Sequence, residues 1–255
     1  MPEHKTVDPQ LYQTISDLHK AGGISVEDSA SSKLIARNSR RLTTHIYDIL
    51  RQEIVSLARQ PGSPINENQI CTALNVSRTP VREAILKLKD EGLIEIFPQS
   101  GTRVAPISLS GLANLVFFRS ALETQSIKDL VSTITVENIA ALNDMIAQQY
   151  FHARHNDCDN FHLADERFHE FLLTTANRKI IWDKIDREKG DLDRFRRLTL
   201  PLLGQMLDVT QEHQNIVSAI EMRDADIAMT ALRDHLGNVL SVVQLLKGRH
   251  QFVFS

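Results

Sequence analysis

Beyond Pro106 strand signals vanish from this 255-residue chain, and its apolar residues recur at helical spacing to the end. The expected helices run over about 109–131, 135–155, 159–176, 178–198, 203–222 and 224–246, broken by "STIT", "HNDCDN", "AN", "TLPLLG" and "MRD". Helices of this length in succession predict an all-α bundle. Ser108 or Ser110, Thr135, Asn177 and Asp224 stand where N-caps are expected.

The region before it has a different grammar. From Leu42, the residues Ile46, Ile49, Leu50, Ile54 and Leu57 form a helical stripe ended by "RQPGSP". A short helix follows Asn66, with Ile70 and Leu74 inward, and Asn75 permits a tight turn into "VSRTPVREAIL". There Thr79 is expected to cap and Pro80 to open a helix, because a missing N–H costs nothing at the first helical position. Val81, Ala84, Ile85 and Leu88 give that helix a face to bury. Arg78 and Arg82 crowd its beginning, where the helix dipole favours acids, so an external anion is implied. A DNA phosphate or guanine edge suits both arginines.

After this helix, "EGLIEIFPQSGTRVAPI" predicts a β-hairpin with Leu93, Ile94 and Ile96 on one arm, a tip from Pro98 to Gly101, and Thr102 to Val104 on the other. Three helices and a two-stranded wing make a winged helix-turn-helix. The expected fold is therefore mainly α: a winged helix over 40–107 followed by a helical bundle over 108–250. Residues 1–39 contain a short helical pattern near Leu11 to Lys20, then "AGGISVEDSASSK", and are read as a flexible arm. Arg37, Arg40 and Arg41 touching DNA is the alternative for that arm.

Composition leaves this open. The net charge is −3, with a slight basic excess over 40–107 and an acidic one after it, so the DNA reading rests on local arrangement. No apolar run approaches the length of a membrane span, and the first residues have no apolar signal core; the expected location is the cytoplasm. Cys71 and Cys158 are read as buried or idle thiols.

Three pieces of the bundle carry chemistry. "ADERFHEFL" sets Asp165 and His169 four residues apart on one helix face. His213 lies among Ile216, Val217 and Ile220, and His235 between Leu232 and Leu236. A single histidine on such a face is ordinarily a satisfied core residue. Three of them with an aspartate, all pointing inward, form a ligand set for Zn, Ni, Cu or Fe, which the carboxylate extends to Mn. His152, His155 and His162 are read as solvent-exposed. Trp182, Ile181 and Ile185 read as core, and one arginine of "RFRR" (Arg194 to Arg197) as close to the pocket, without a choice among them.

The segment "PGSPINENQICTALNVSRTPVREAILKLKDEGLIEIFPQSGTRV" resembles the DNA-binding domain of the GntR family of transcription regulators. By that resemblance Arg78 and Arg82 reach the major groove or its phosphates, Thr79 bonds a phosphate, Ser100 and Gly101 bring the wing tip to the minor groove, and Glu67 orients the arginines. The segments "FFRSALE", "DERFHEFLLTTANRKI", "EHQNIVSAIEMRDADIA" and "ALRDHL" are similar, in order, to the FCD effector domain of the FadR subfamily. Its metal-binding members use one Asp and three His, and the matching positions here are Asp165, His169, His213 and His235. Arg119 matches an arginine facing the ligand pocket; the plainer reading of it is a surface pair with Glu123.

These readings converge on a homodimeric, metabolite-responsive repressor that binds a palindromic operator as double-stranded DNA. It would hold a divalent transition metal (Zn, Ni or Mn) and sense a small organic or sugar acid. The competing readings are a metal-dependent enzyme, with Glu166 or Glu212 as base, and a regulator that takes a larger apolar ligand without metal. Glu166 points about 100° away from Asp165 around the helix, which counts against it as that base.

Overall fold

The computed structural model describes residues 29–202, 204–246 and 254. Among them are ten α-helices and one small sheet, in two compact units: one runs through Ile54 and adds Ser63–Ala105, the other holds Val55–Gly62 and continues from Pro106. The helical pattern near Leu11 to Lys20 lies outside the described residues.

In the first unit, helix α1 (Ser29–Val55) begins inside the stretch read as an arm, well before the Leu42 stripe. Ile46, Leu50 and Ile54 bury as expected, whereas Leu57 falls past the helix end with φ of 62°. Asn66 caps α2 (Glu67–Leu74) by accepting from the backbone N–H groups of Asn68 and Gln69, at 3.0 and 3.2 Å. Asn75 ends it in the left-handed region, which asparagine tolerates better than most residues. Helix α3 (Arg78–Asp90) starts earlier than expected: Ser77 is the N-cap, Thr79 sits within the first turn, and Pro80 is buried there without disrupting it. The first four N–H groups of a helix have no intrahelical partner, so proline is tolerated anywhere in that turn. Val81, Ala84, Ile85 and Leu88 form its buried face.

The wing is a three-stranded sheet rather than a bare hairpin. Strands β2 (Ile94–Phe97) and β3 (Gly101–Val104) pair antiparallel with Ile94 opposite Val104, and Gly101 at φ +93° makes the turn that a side chain would strain. A two-residue strand, β1 (Pro64–Ile65), adds to the other edge of β3, Ile65 opposite Thr102. Proline at this edge removes no bond that a central strand would need.

The second unit is the bundle: α4 (Leu109–Thr133), α5 (Val136–Arg154), α6 (Cys158–Thr175), α7 (Lys179–Glu188), α8 (Gly190–Thr199), α9 (Gln205–Glu221) and α10 (Ala225–Leu246). Ser108, not Ser110, caps α4, and Thr135 and Asn138 close a reciprocal capping box on α5. Asp224 accepts from the N–H of Ile227 at 3.0 Å at the start of α10. Asn177 is no N-cap: at φ 57° it ends α6, and Arg178 precedes α7. The helix expected over 178–198 is two helices, divided at Lys189. Lys189 is buried, with its ammonium against Glu166, Asp193 (2.9 Å) and Asp186 (3.3 Å). Beside it, His162 is buried on α6 and lies 3.8 Å from Asp193, so it is not the exposed loop residue that the sequence suggested. One parallel bridge, Ile107 with Phe254, is strand-like pairing that the sequence did not signal.

The main core joins α4, α5, α6, α9 and α10 through Leu130, Leu142, Phe168, Ile216, Ile220 and Leu232. Trp182, Ile185 and Leu173 make a smaller one, with Ile181 against it. Cys71 and Cys158 are free thiols, both half-buried.

Candidate metal centre and nucleic-acid face

Asp165 and His169 stand one turn apart on α6, next to Phe168 and Leu172 on the core face. His213 precedes Ile216 on α9, and His235 sits between Leu232 and Leu236 on α10. All four are buried, and one ligand atom from each lies within 4.8 Å of every other.

The three imidazoles are held from behind. Nδ1 of His169 donates to Glu123 on α4 (3.0 Å), Nδ1 of His213 to the Gln149 amide oxygen on α5 (2.7 Å), and Nδ1 of His235 to Glu212 on α9 (2.7 Å). A carboxylate only accepts, so two of these bonds fix the proton on Nδ1 and leave Nε2 with its lone pair. The Nε2 atoms then meet: His213 and His235 at 3.1 Å, His235 and His169 at 3.2 Å. Bonds of about 2.0–2.1 Å to a shared ion would separate neighbouring donors by roughly 2.9–3.4 Å in octahedral or tetrahedral geometry. Oδ1 of Asp165 lies 3.7 Å from His213 Nε2, buried and without a hydrogen-bond partner among the described residues. Converging lone pairs and an orphaned carboxylate oxygen fit a divalent cation, as do imidazoles oriented by outer partners.

Electrostatics prepares the same state. Burial would raise the Asp165 pKa, but the Arg196 guanidinium, then the histidines, hold it well below the usual carboxylate range. Arg196, from α8, donates from Nη1 to Asp165 Oδ2. It is the arginine of "RFRR" closest to the cluster. For His213 and His235 burial leads, and neighbouring imidazoles add to it, keeping both well below 6.5 and therefore neutral at pH 7. Glu123 is lowered to about 2, against burial, by Arg119 and then His169. Arg119 donates to Glu123 at 2.5 Å, and both are almost wholly buried: the pair forms, but not on the surface.

Sequence reasoning did not assign Glu123, Gln149 or Glu212 to hold the imidazoles. The signal for two of them was present. Gln149 follows Leu142 and Ile146 at helical spacing, and Glu123 precedes Ile127 and Leu130, so each is a polar residue on an apolar face.

In the first unit, Arg78, Arg82, Ser100 and Gly101 line one concavity, together with Glu67 and Arg103. Thr79 is exposed on the same helix turn and does not line it. The first turn of α3 carries no acid. Glu67 on α2 accepts from Nε of Arg82 at 2.9 Å in a solvent-exposed pair.

A winged helix with arginines at the start of its third helix is thus joined in one chain to a helical bundle around a His/Asp cluster. Residues 42–104 match the family model "Bacterial regulatory proteins, gntR family" and residues 114–238 match "FCD domain". The chain is 33% identical over 210 residues to the HTH-type transcriptional repressor RspR of Escherichia coli (strain K12), spanning 82% of this chain and 92% of that protein. It is 24% identical over 218 residues to the gluconate operon transcriptional repressor of Bacillus licheniformis, spanning 79% and 88%. The structure of E. coli McbR/YncC matches with a TM-score of 0.66 at 16% identity, over 80% of this chain and 97% of that one. The protein belongs to the GntR family of bacterial transcriptional regulators and carries an FCD domain. The relatives it matches are named as transcriptional regulators.

Proposed function

We propose that this regulator is a repressor whose hold on its operator is set by a metal-anchored acid. Asp165, His169, His213 and His235 would hold Zn, Ni or Mn. The observation that carries this reading is the meeting of three Nε2 lone pairs, each imidazole backed by its own acceptor, around the unpartnered Asp165 Oδ1. A bound ion would supply Lewis-acid positions for the oxygens of a small organic or sugar acid. The name of the gluconate operon relative supports an acid as effector class. Arg119, buried beside Glu123, adds positive charge to that environment; its field already acts on His235.

Operator binding is assigned to Arg78, Thr79, Arg82, Ser100 and Gly101, four of which share one concavity. A cytoplasmic homodimer would set one winged helix on each half of a palindromic site, matching its two-fold symmetry. Elemental analysis of the purified protein tests the metal. Near one ion per chain, lost in His213→Ala and His235→Ala, is the expected result; equal metal content in variants and wild type would overturn the ligand set. Release of operator DNA by an acid only from the metal-loaded form tests the coupling.

A further inference from the structure

Helix α1 carries more than the winged helix needs from it. The match to the gntR family model begins at residue 42, yet α1 begins at Ser29. From Ser29 to Tyr47 the chain places Lys33, Arg37, Arg40 and Arg41 and no Asp or Glu. Lys33, Arg37 and Arg41 recur at intervals of four, the spacing that sets positions on one side of a helix. Arg40 and Arg41 are exposed, and with Thr44, His45 and Asp48 they line one open concavity. Among the described residues no carboxylate pairs with either of these two arginines.

Contacts with α3 set the direction in which α1 points. Thr43 Oγ1 donates to Glu83 at 2.8 Å, the Lys87 ammonium lies 5.9 Å from the centre of the Tyr47 ring, and Arg51 Nε donates to Glu91 at 3.2 Å. Each advance of four residues along α1 meets an advance of four along α3, so the two helices run in the same direction. Their N-termini lie at one end, where Arg78 and Thr79 sit. Arg40 and Arg41 stand within a turn before Thr43, level with the first turn of α3. Ser29 precedes Thr43 by 14 residues and Arg78 precedes Glu83 by five, so α1 continues for about 14 Å past the start of α3.

A recognition helix enters the major groove by its N-terminal residues, and that groove is only about 12 Å wide. A basic helix beside it, pointing the same way and reaching farther, meets the sugar–phosphate backbone that borders the groove. We propose that Arg40 and Arg41 form a second DNA contact, gripping backbone phosphates that flank each half-site rather than base edges. The proposal rests on the assignment of α3 to the operator and extends the footprint beyond the residues that match the family's DNA-binding domain. Charge selects this occupant, since a run of cations without an acid complements a polyanion. Such contacts carry no sequence information. They fix the position of the recognition helix and add affinity that salt removes.

The test uses the full-length protein and a DNA site that it selects from a random-sequence pool. The site is prepared alone and with roughly 10 base pairs, about one helical turn, added on each side. Binding is read by fluorescence anisotropy across a salt series, beside hydroxyl-radical footprinting. The wild type should bind the longer DNA about ten-fold more tightly and protect its flanks. In Arg40→Gln/Arg41→Gln the slope of log affinity against log salt should become shallower by about 1.8, and the advantage of the longer DNA should vanish with the flanking protection. Preference for the selected site over random DNA should stay unchanged. Arg40→Lys/Arg41→Lys should keep the slope, because an ammonium serves a phosphate as a point charge. An unchanged slope in the glutamine variant, or an equal loss in the lysine variant, overturns the flanking contact. A lowered melting temperature in the glutamine variant assigns the two arginines to the fold and overturns it as well. A wild type that selects no site overturns the operator reading itself, and that result precedes any variant.

Discussion

The molecule contains the same ion pair in two settings. Arg82 and Glu67 meet at 2.9 Å with side chains 61% and 31% exposed, while Arg119 and Glu123 meet at 2.5 Å with side chains 3% and 2% exposed. In water such a pair contributes under about 1 kcal/mol, since solvent and salt screen it, and either partner is readily exchanged for another ion. Buried, the pair is little better than an apolar substitute, yet removing one partner strands a charge at about 3–5 kcal/mol. The difference separates two uses of arginine. Arg82 keeps a solvent-exposed partner that another anion can replace, whereas Arg119 is held in the core by the carboxylate that also holds His169.

The sharpest way to break this contrast is Arg196→Gln, which leaves the buried Asp165 without its guanidinium partner. We expect a loss of about 3–5 kcal/mol in urea unfolding of the full chain; a loss no larger than that of a surface substitution would erase the distinction. Next comes Glu123→Gln, which keeps an acceptor for His169 Nδ1 but removes the charge between Arg119 and the imidazole. Metal affinity should fall about 10- to 100-fold in competition with a chelator. Arg82→Ala should leave unfolding unchanged and cost about 1–3 kcal/mol of discrimination between operator and random DNA. Equal discrimination would show that this arginine does not read a base.

Acid should destabilise the bundle. Because His213 and His235 have folded pKa values well below 6.5, their contribution to stability is complete above pH 6.5 and is lost as pH falls through those lowered values. Chelator-treated protein should therefore melt at progressively lower temperature from about pH 7 to about pH 5. A flat profile would contradict the buried neutral imidazoles. The smallest effect belongs to Glu67→Gln, under about 1 kcal/mol in stability. It sharpens the comparison if it relaxes operator selectivity at the same time, by releasing Arg82.

Helical periodicity was legible wherever one side of a helix is apolar, and so were the histidines, because each interrupts such a stripe at the right phase. What the sequence hid depends on neighbours distant along the chain. Strand β1 is two residues long and exists through its pairing with Thr102 and Arg103. Nothing local distinguishes Arg196 from Arg194 or Arg197, since the choice is made by Asp165 on another helix. His162 looks like a loop histidine until Asp193 and α8 are brought beside it. The division of 178–198 also has a tertiary cause, for Lys189 turns the chain where three acids surround its ammonium. Thr79 failed as a cap for a simpler reason: Ser77 precedes it, and proline fits later in the first turn than its commonest position.

Lys189 has one more consequence. Adjacent residues of α6 send their carboxylates to different cations: Asp165 to Arg196 and Glu166 to this lysine. A lysine is tethered by its own backbone, so it can be neither diluted away nor chelated. The Lys189 ammonium thus anchors the α7–α8 corner to α6 with charges that the chain itself supplies.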